Sequence, residues 1–230
     1  MKTLVSMVYP IFTRPYRDKP DYIQKTVGCS KITVQRPNHG FLHSMRQAIL
    51  ARDICNAMLP YAHFGEVKKI MMLAAFQRSG RESEVSSEQD PELYYSYERQ
   101  DARIFRNAAH MHKYLFTSAE EIDRLSQCIF WKNRTIVSKI IHTAHILDLR
   151  RIPSFDMNRV RREACMCLFD NMDQSSRDII DKLFAQSGKY LAGTGDRDAY
   201  IQKKHVDDKF YVLSTNQDLC AQHFNILVRK

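Results

Sequence analysis

The chain has 230 residues, a formal net charge of +9 and a hydrophobic fraction of 44%. A chain of this length can bury a substantial core in one domain, and no apolar run approaches the roughly 20 residues that a membrane span needs. The six cysteines show no spacing typical of a secreted disulfide framework, so we expect reduced, mostly buried thiols in a soluble, cytosolic protein.

The positive charge is concentrated near the beginning of the chain. Residues 1–47 contain eight Lys or Arg against Asp18 and Asp21, which gives +6 of the total +9. A basic pocket for an anionic substrate would explain this distribution, because clustered positive charge attracts anions. Nucleic acid is the competing explanation. Because the chain has no zinc-finger spacing, ribonucleoprotein-type aromatic motif or basic repeat, we predict that nucleic acid is not a partner.

The first half of the chain contains two predicted helices after a strand-like start. Residues 4–8 have a strand-like composition. Asn38 can cap a helix over residues 40–59, where apolar side chains recur at helical spacing. An amphipathic run over residues 66–77 predicts the next helix, and Gly80 suits the position just beyond its C-terminus. A polar loop is predicted to follow.

The second half is predicted to be almost entirely helical. Asp90 and Pro91 form a good helix start, and Ser118 with Glu121 forms a capping box for the helix after it. The predicted helices are residues 91–116, 119–131, 136–149, 154–169 and 174–186, the last closed by Gly188.

A different pattern follows these helices. Residues 193–196 predict a turn, and residues 209–214 and 224–228 are strand-like. We therefore predict a mainly α fold: a single helical domain over residues 1–230, with its core at 36–190, a loop and strand-like appendage at 193–230, and a small β-sheet formed by terminal segments.

The most informative helix start is the segment Arg-Pro-Asn-His-Gly-Phe-Leu-His-Ser-Met-Arg at residues 36–46. If the helix begins near His39, a rotation of about 100° per residue places His39, His43 and Arg46 within roughly 60° of one another. Free N–H groups at a helix N-terminus attract anions. This convergence predicts a phosphate site, to which Asn38 also belongs.

Two alternatives remain for these histidines. A His-x-x-x-His pair can bind zinc, but the metalloprotease motif carries Glu directly after the first His, whereas Gly40 and Phe41 follow His39. No His-Asp dipeptide, typical of one class of metal-dependent phosphohydrolase, occurs in the chain. The second alternative is that both histidines are half-exposed helix residues without a function.

Two further segments carry polar residues at predicted helix ends. Glu82 and Glu84 follow Gly80 on the predicted loop. His145 and Asp148 are three positions apart near the end of another helix, so this carboxylate could orient the ring. Arg151 follows at the helix end.

These segments resemble the phosphodiesterase domain of the SidE-type secreted bacterial effectors. The matching blocks are Arg-Pro-Asn-His-Gly-x-x-His at 36–43, Gly-Arg-Glu-Ser-Glu at 80–84 and His-x-x-Asp-Leu-x-Arg at 145–151, in the family order. The resemblance implies a mostly helical domain that cleaves a phosphodiester without a metal ion or other cofactor.

The resemblance also implies roles for individual residues. His39 would be the nucleophile, His145 the general acid and base, and Glu82 the orienting carboxylate, with Glu84 as a surrogate for it. His43 and Arg151 would contact the phosphate. To these the residue pattern adds Arg46 and Asn38 as phosphate or nucleotide ligands and Asp148 as a residue that supports His145.

By resemblance, the substrate would be an ADP-ribose or phosphoribosyl linkage on ubiquitin, in a host cell into which a bacterium secretes the protein. The stretch between His39 and Glu82 is shorter than in the ubiquitin-acting members. That difference favours the alternative of an AMP-binding domain with little or no activity on ubiquitin. A third alternative is a metal-dependent nucleotide hydrolase that uses histidines at positions 39, 43, 142 and 145.

Overall fold

The computed structural model describes residues 2–12, 24–27, 30–33, 40–58, 64–82, 90–131, 134–151 and 155–190. The fold is mainly α, as predicted. The helices in this part of the chain are α1 (Lys2–Phe12), α2 (Phe41–Met58), α3 (Phe64–Phe76), α4 (Pro91–Met111), α5 (Ala119–Phe130), α6 (Ile136–Asp148), α7 (Met157–Leu168) and α8 (Gln174–Lys189). Strands β1 (Gln24–Val27) and β2 (Ser30–Thr33) form an antiparallel hairpin. Among the described helices, none combines the length and the hydropathy that a membrane-spanning helix requires.

The strand predicted at residues 4–8 is wrong, because this segment belongs to α1. Val5, Val8 and Phe12 are buried at spacings of three and four residues, which is a helical period. The short apolar run looked strand-like because, over only five residues, the sequence pattern of a half-buried helix is hard to distinguish from that of a strand. The turn predicted at 193–196 and the strands at 209–214 and 224–228 lie outside the described residues.

Helix starts in the second half follow the predicted capping chemistry. The carboxylate of Asp90 accepts a hydrogen bond from the N–H of Leu93 at 3.0 Å, with Pro91 as the first helical residue. Ser118 Oγ accepts from the N–H of Glu121 at 3.2 Å. The reciprocal half of the capping box is displaced by one residue, because the Glu121 carboxylate accepts from Thr117 instead of Ser118.

Some predicted helix ends shift by a turn. Helix α4 stops at Met111 and a 3₁₀ turn follows, whereas α7 begins later than predicted because Asp156 caps it. Helix α8 continues through Gly188. A Cβ atom at that position would lie 2.7 Å from the guanidinium of Arg150, and the helix ends one residue later, at Lys189.

The core is built around α2, which packs against α1, α3, α6 and α8. Phe41, Met45, Ile49 and Ile54 of α2 are completely or almost completely buried. The same helix also buries His43, Arg46 and Gln47. Burying polar side chains in a core is costly unless they are hydrogen-bonded, so these residues mark where partners must be supplied.

Four cysteines in the described segments are free and buried, in line with the predicted reduced thiols: Cys55, Cys128, Cys165 and Cys167.

Candidate functional site

The carboxylate of Asp148 is the centre of a buried polar cluster between α2 and α6. His43 Nδ1 lies 2.5 Å from Asp148 Oδ2, Arg46 Nε donates to Oδ1 at 2.7 Å, and Arg151 donates to Oδ2 at 2.9 Å. Burial alone would raise the pKa of Asp148, but the two guanidinium groups and the His43 hydrogen bond lower it below its usual range. Asp148 is therefore an anion that holds three donors in place.

Local sequence explains how the cluster forms. His43 and Arg46 are three positions apart on α2 and so share a face of that helix. Asp148 is the last residue of α6, and Arg151 lies in the 3₁₀ turn that follows. The Arg151 guanidinium also donates to the backbone carbonyl of Asp148 at 3.0 Å. A cation at this place interacts favourably with the partial negative charge of the helix C-terminus as well as with the carboxylate.

His145 lies beside this cluster and is more accessible than His43. The two ring centroids are 5.5 Å apart at an interplanar angle of 70°. His43 is fully buried, whereas His145 is half-buried. The Nδ1 atom of His145 is 2.7 Å from the amide of Gln47, and its Nε2 atom is 3.4 Å from the guanidinium of Arg78. Residues from α2, α6 and the turn after α3 thus meet at one imidazole.

The turn after α3 places Arg78 in a left-handed backbone conformation, with φ of 67°. This conformation is unfavourable for a residue with a side chain, so something must hold it. Asp101 of α4 does so, because its carboxylate accepts from the N–H groups of Arg78 at 2.8 Å and Gly80 at 2.6 Å.

The prediction that Gly80 follows the helix end as a cap is therefore wrong, since Arg78 is the left-handed residue. Gly80 is needed for a close approach to α4. A Cβ atom there would lie 2.7 Å from the side chain of Gln100 and 2.8 Å from the backbone of Asp101. The turn and α4 consequently fit together with no space for a methyl group.

The Arg78 side chain is buried and has partners on several sides. Its guanidinium lies 3.6 Å from the carboxylate of Glu98 and 4.9 Å from the ring centroid of Tyr94. Burial would lower the pKa of Arg78, but Tyr94 and two nearby carboxylates raise it overall, so the guanidinium stays charged. Tyr94 of α4 thus packs against the guanidinium that contacts His145.

The structure brings five of the predicted site residues together: His43, Arg46, His145, Asp148 and Arg151. Glu82 is half-buried and follows the same turn that carries Arg78 to His145. Asn38, His39 and Glu84 lie outside the described residues. In sequence, His39 directly precedes Gly40, whose carbonyl accepts the first hydrogen bond of α2 from Ser44 at 3.2 Å.

One predicted contact is wrong. The Asp148 carboxylate contacts His43 and the two arginines, and the ring of His145 is contacted by Gln47 instead. The guanidinium groups of Arg46 on α2 and Arg151 after α6 attract the carboxylate more strongly than a neighbouring imidazole on its own helix can. Arg46 and Arg151, which we predicted as phosphate ligands, both donate to this carboxylate.

Sequence reasoning missed Gln47, Arg78 and Asp101. Gln47 adjoins Arg46 on α2, so a helical wheel that included it would have placed it near the motif. Arg78 lies two positions before the Gly-Arg-Glu-Ser-Glu block and carries no motif signal of its own. Asp101 lies in the middle of α4, where an acidic residue usually indicates a solvated face, yet it is only 2% exposed.

His142 lies one turn before His145 on α6 and, like His145, contacts a glutamine side chain through its Nδ1 atom. Its Nδ1 atom is 3.0 Å from the amide of Gln77. The metal-site alternative would need several such ligands together. No group of three or more His, Cys, Asp or Glu side chains is arranged for a metal within the ranges that the structure describes, which do not include His39.

The buried Asp101 should make stability depend on pH. Burial raises the pKa of Asp101 to about 6, so the folded state holds this proton more tightly than the unfolded chain does. The associated stability is present below about pH 4 and is lost as pH rises through 6, by about 3 kcal/mol in total. Urea unfolding from pH 4 to 7 should show this loss in the wild type and not in Asp101→Asn. The same loss in both proteins would contradict the assignment of this pH dependence to Asp101. Asp123→Asn serves as the control variant, because Asp123 belongs to an exposed ion pair.

A separate cleft of about 300 Å³ lies between α7 and α8. Its basic lining residues are Arg161, Arg162 and Arg177. Arg161 is already paired with Asp181 at 3.4 Å and stacked on Phe184, and the other two arginines are exposed. The buried, mutually fixed polar groups lie at the His145 site and not in this cleft.

Comparison with known proteins identifies related chains. Residues 15–223 match the family described as the SidE phosphodiesterase (PDE) domain. The chain is similar to the C-terminal domain of lpg1496 from Legionella pneumophila in complex with nucleotide, with 18% identity, a TM-score of 0.72 and coverage of 97% of this chain and 95% of that chain. A structure of lpg1496 under 350 MPa gives 17% identity, a TM-score of 0.75 and coverage of 98% and 95%. No curated protein matches the sequence. At these identities the structural likeness shows the fold alone.

Proposed function

Because this chain belongs to the SidE phosphodiesterase (PDE) domain family, we propose that it cleaves a phosphodiester bond through histidine chemistry at the His145 site. The observation that carries this proposal is the half-buried His145 ring, which Gln47 and Arg78 contact at its two nitrogens, beside the His43–Asp148 pair. A fixed, accessible imidazole next to a fixed guanidinium suits proton transfer at a phosphoryl group.

In the proposed first step, neutral His39 attacks phosphorus in line. A phosphorus–nitrogen bond forms while the bond to the leaving oxygen breaks, and protonated His145 gives its proton to that oxygen. In the second step water attacks the phosphohistidine, His145 takes the water's proton, and the phosphorus–nitrogen bond breaks. Glu82 holds the tautomer of His39 that presents a lone pair to phosphorus.

Positive charge at the site would stabilise the equatorial oxygens. The Arg78 guanidinium lies 3.4 Å from Nε2 of His145, the nitrogen that would transfer the proton. Arg46 and Arg151 hold Asp148, which in turn fixes His43 next to His145. Prearranged donors of this kind stabilise developing charge without reorganisation during the reaction, so the proposal requires no metal ion.

We propose an ADP-ribose or phosphoribosyl linkage as the substrate, with ubiquitin as the carrier protein and a host cell as the place of action. The solved complex of the related lpg1496 domain with nucleotide supports a nucleotide component. The same observation favours a second candidate function: an AMP-binding domain that has little or no activity on ubiquitin. The short stretch from His39 to Glu82 also favours this candidate, since it leaves less chain for docking a carrier protein.

Release of AMP from ADP-ribosylated ubiquitin tests both candidates. We expect the purified protein to release AMP, to do so equally in the presence of a chelator, and to bind AMP in calorimetric titration. Binding of AMP, without AMP release from ADP-ribosylated ubiquitin and without cleavage of phosphoribosyl-linked ubiquitin, would favour the nucleotide-binding candidate. Loss of activity in the chelator would favour the metal-dependent alternative. Neither release nor binding would contradict both candidates.

A further inference from the structure

We propose that Gln47 and Arg78 are positioning residues which hold neutral His145 as the Nδ1–H tautomer, with the lone pair on Nε2. The tautomer follows from the contacts of the ring, and its catalytic consequence rests on the proposed phosphodiesterase function. A neutral imidazole carries one N–H and one lone pair, so the groups that face its two nitrogens decide which nitrogen holds the proton.

The contact with Arg78 determines whether Nε2 carries a proton or a lone pair. The guanidinium has only donors, and its terminal nitrogen lies 3.4 Å from Nε2 of His145. In a neutral ring, an N–H at Nε2 would place two donors against each other. The lone pair must therefore be at Nε2, and the proton at Nδ1.

The contact with Gln47 is consistent with this assignment in one amide orientation. A proton at Nδ1 requires an acceptor, and the Gln47 amide lies 2.7 Å away. Oxygen and nitrogen of an amide are exchanged by a half-turn of the group, and the hydrogen-bond network decides between the two orientations. With the nitrogen towards His145, Oε1 of Gln47 is buried without a partner among the described residues. Turning the amide gives that oxygen the Nδ1–H donor.

The reverse arrangement would be poor at both ring nitrogens. A Gln47 N–H donated to Nδ1 would require the ring proton at Nε2, where it meets Arg78. It would also leave the buried oxygen of Gln47 unsatisfied, and a buried acceptor without a donor costs about 1–3 kcal/mol. Two independent contacts thus favour the same tautomer.

Three neighbouring residues hold Arg78 in place. Asp101 fixes its backbone, Glu98 lies beside its guanidinium, and Tyr94 packs against its face. Gln47 belongs to the core helix α2 and is fully buried. Both neighbours of the ring are therefore fixed before any substrate arrives.

For the reaction, this tautomer determines the direction of the first proton transfer at Nε2. Neutral His145 can only accept a proton there, so it is ready to activate water. Protonation of the leaving oxygen requires that Nε2 first receives a proton, which makes the ring an imidazolium and requires the Arg78 donor to turn away from Nε2. With the substrate bound, the rate constant of leaving-group departure should fall as pH rises, because the fraction of protonated His145 decreases.

Nitrogen-15 NMR of the histidine rings in the intact 230-residue chain tests the tautomer directly. We expect His145, identified by its loss in His145→Gln, to show a protonated Nδ1 and an unprotonated Nε2 when neutral. Gln47→Met should shift both ring signals towards a mixture of tautomers. Gln77→Met, the matched control, should change His142 and leave His145 unaffected, because Gln77 contacts His142.

The wild-type spectrum decides the proposal even if a variant fails to fold. A neutral His145 with its proton on Nε2 would overturn the proposal, and so would a folded Gln47→Met protein with unchanged His145 signals. No substrate is needed for this measurement. A confirmed tautomer, together with no AMP release from ADP-ribosylated ubiquitin and no cleavage of phosphoribosyl-linked ubiquitin, would therefore reject the proposed activity on ubiquitin and leave the tautomer assignment intact.

Discussion

Asp148→Asn is expected to lower the free energy of unfolding by about 3–5 kcal/mol, because it removes the anion that neutralises two buried guanidinium groups. Arg46 and Arg151 both donate to this carboxylate and are only 2% and 3% exposed. An asparagine keeps the size of the side chain but loses the charge, and its amide N–H₂ would point at one of three donors. The loss should therefore exceed that of an ordinary buried hydrogen bond, which contributes about 1 kcal/mol.

Urea unfolding at neutral pH measures this difference. Asp170→Asn is the matched control, because Asp170 pairs with Lys139 at the surface and its side chain is 91% exposed; the control should change stability by less than about 1 kcal/mol. Since the pKa of Asp148 is lowered in the folded state, its stabilisation is present above its ordinary pKa and is lost only as pH falls into strong acid. A change at Asp148 no larger than that at Asp170 would contradict the central role of this carboxylate.

His39→Ala is expected to abolish turnover and to leave AMP affinity largely intact, because a nucleophile acts in the transition state and not in ground-state binding. His145→Ala should lower kcat by roughly 10²–10⁴-fold, the usual contribution of general acid–base catalysis. AMP release and calorimetric titration, performed on the same samples, separate the two effects.

His110→Ala is the matched control for both variants, since His110 is an exposed histidine on α4. It should retain full activity. Circular dichroism must show that the variants are folded, because His145 has hydrogen-bond partners whose loss alone could disturb the structure. If folded His39→Ala retains turnover, His39 is not the nucleophile. If it loses AMP affinity in parallel with turnover, its part is in binding.

The sequence contains most of the information needed for the helices. Asp90 with Pro91, and Ser118 with Glu121, mark helix starts because capping is a local interaction between a side chain and nearby N–H groups. Helix ends were less predictable: Gly188 would end many helices, but here α8 continues to Lys189. The helix at residues 2–12 was missed because its pattern covers barely three turns.

For the candidate site, the sequence predicted which residues come together better than how they pair. His43 and Arg46 could be placed on one helix face from their spacing. Their joint partner, Asp148, lies more than 100 residues away, with separations of 105 and 102, so no local rule reveals the contact. Arg78 was missed for a different reason. Its left-handed backbone is imposed by Asp101 of another helix, and Gly80 was the residue whose type suggested such a turn.

The fit of Gly80 against α4 also has a consequence for how the protein opens. The amide protons of Arg78 and Gly80 are both held by the Asp101 carboxylate, and the chain leaves no gap between this turn and the helix behind it. Solvent should reach these two amides only when the turn and α4 separate, so we expect them to exchange as one cooperative unit and not by local fraying. Each such opening also withdraws the guanidinium from the His145 ring. If the proposed function holds, the exchange rate of these two backbone amides reports how often the protein is in a form without the Arg78–His145 contact.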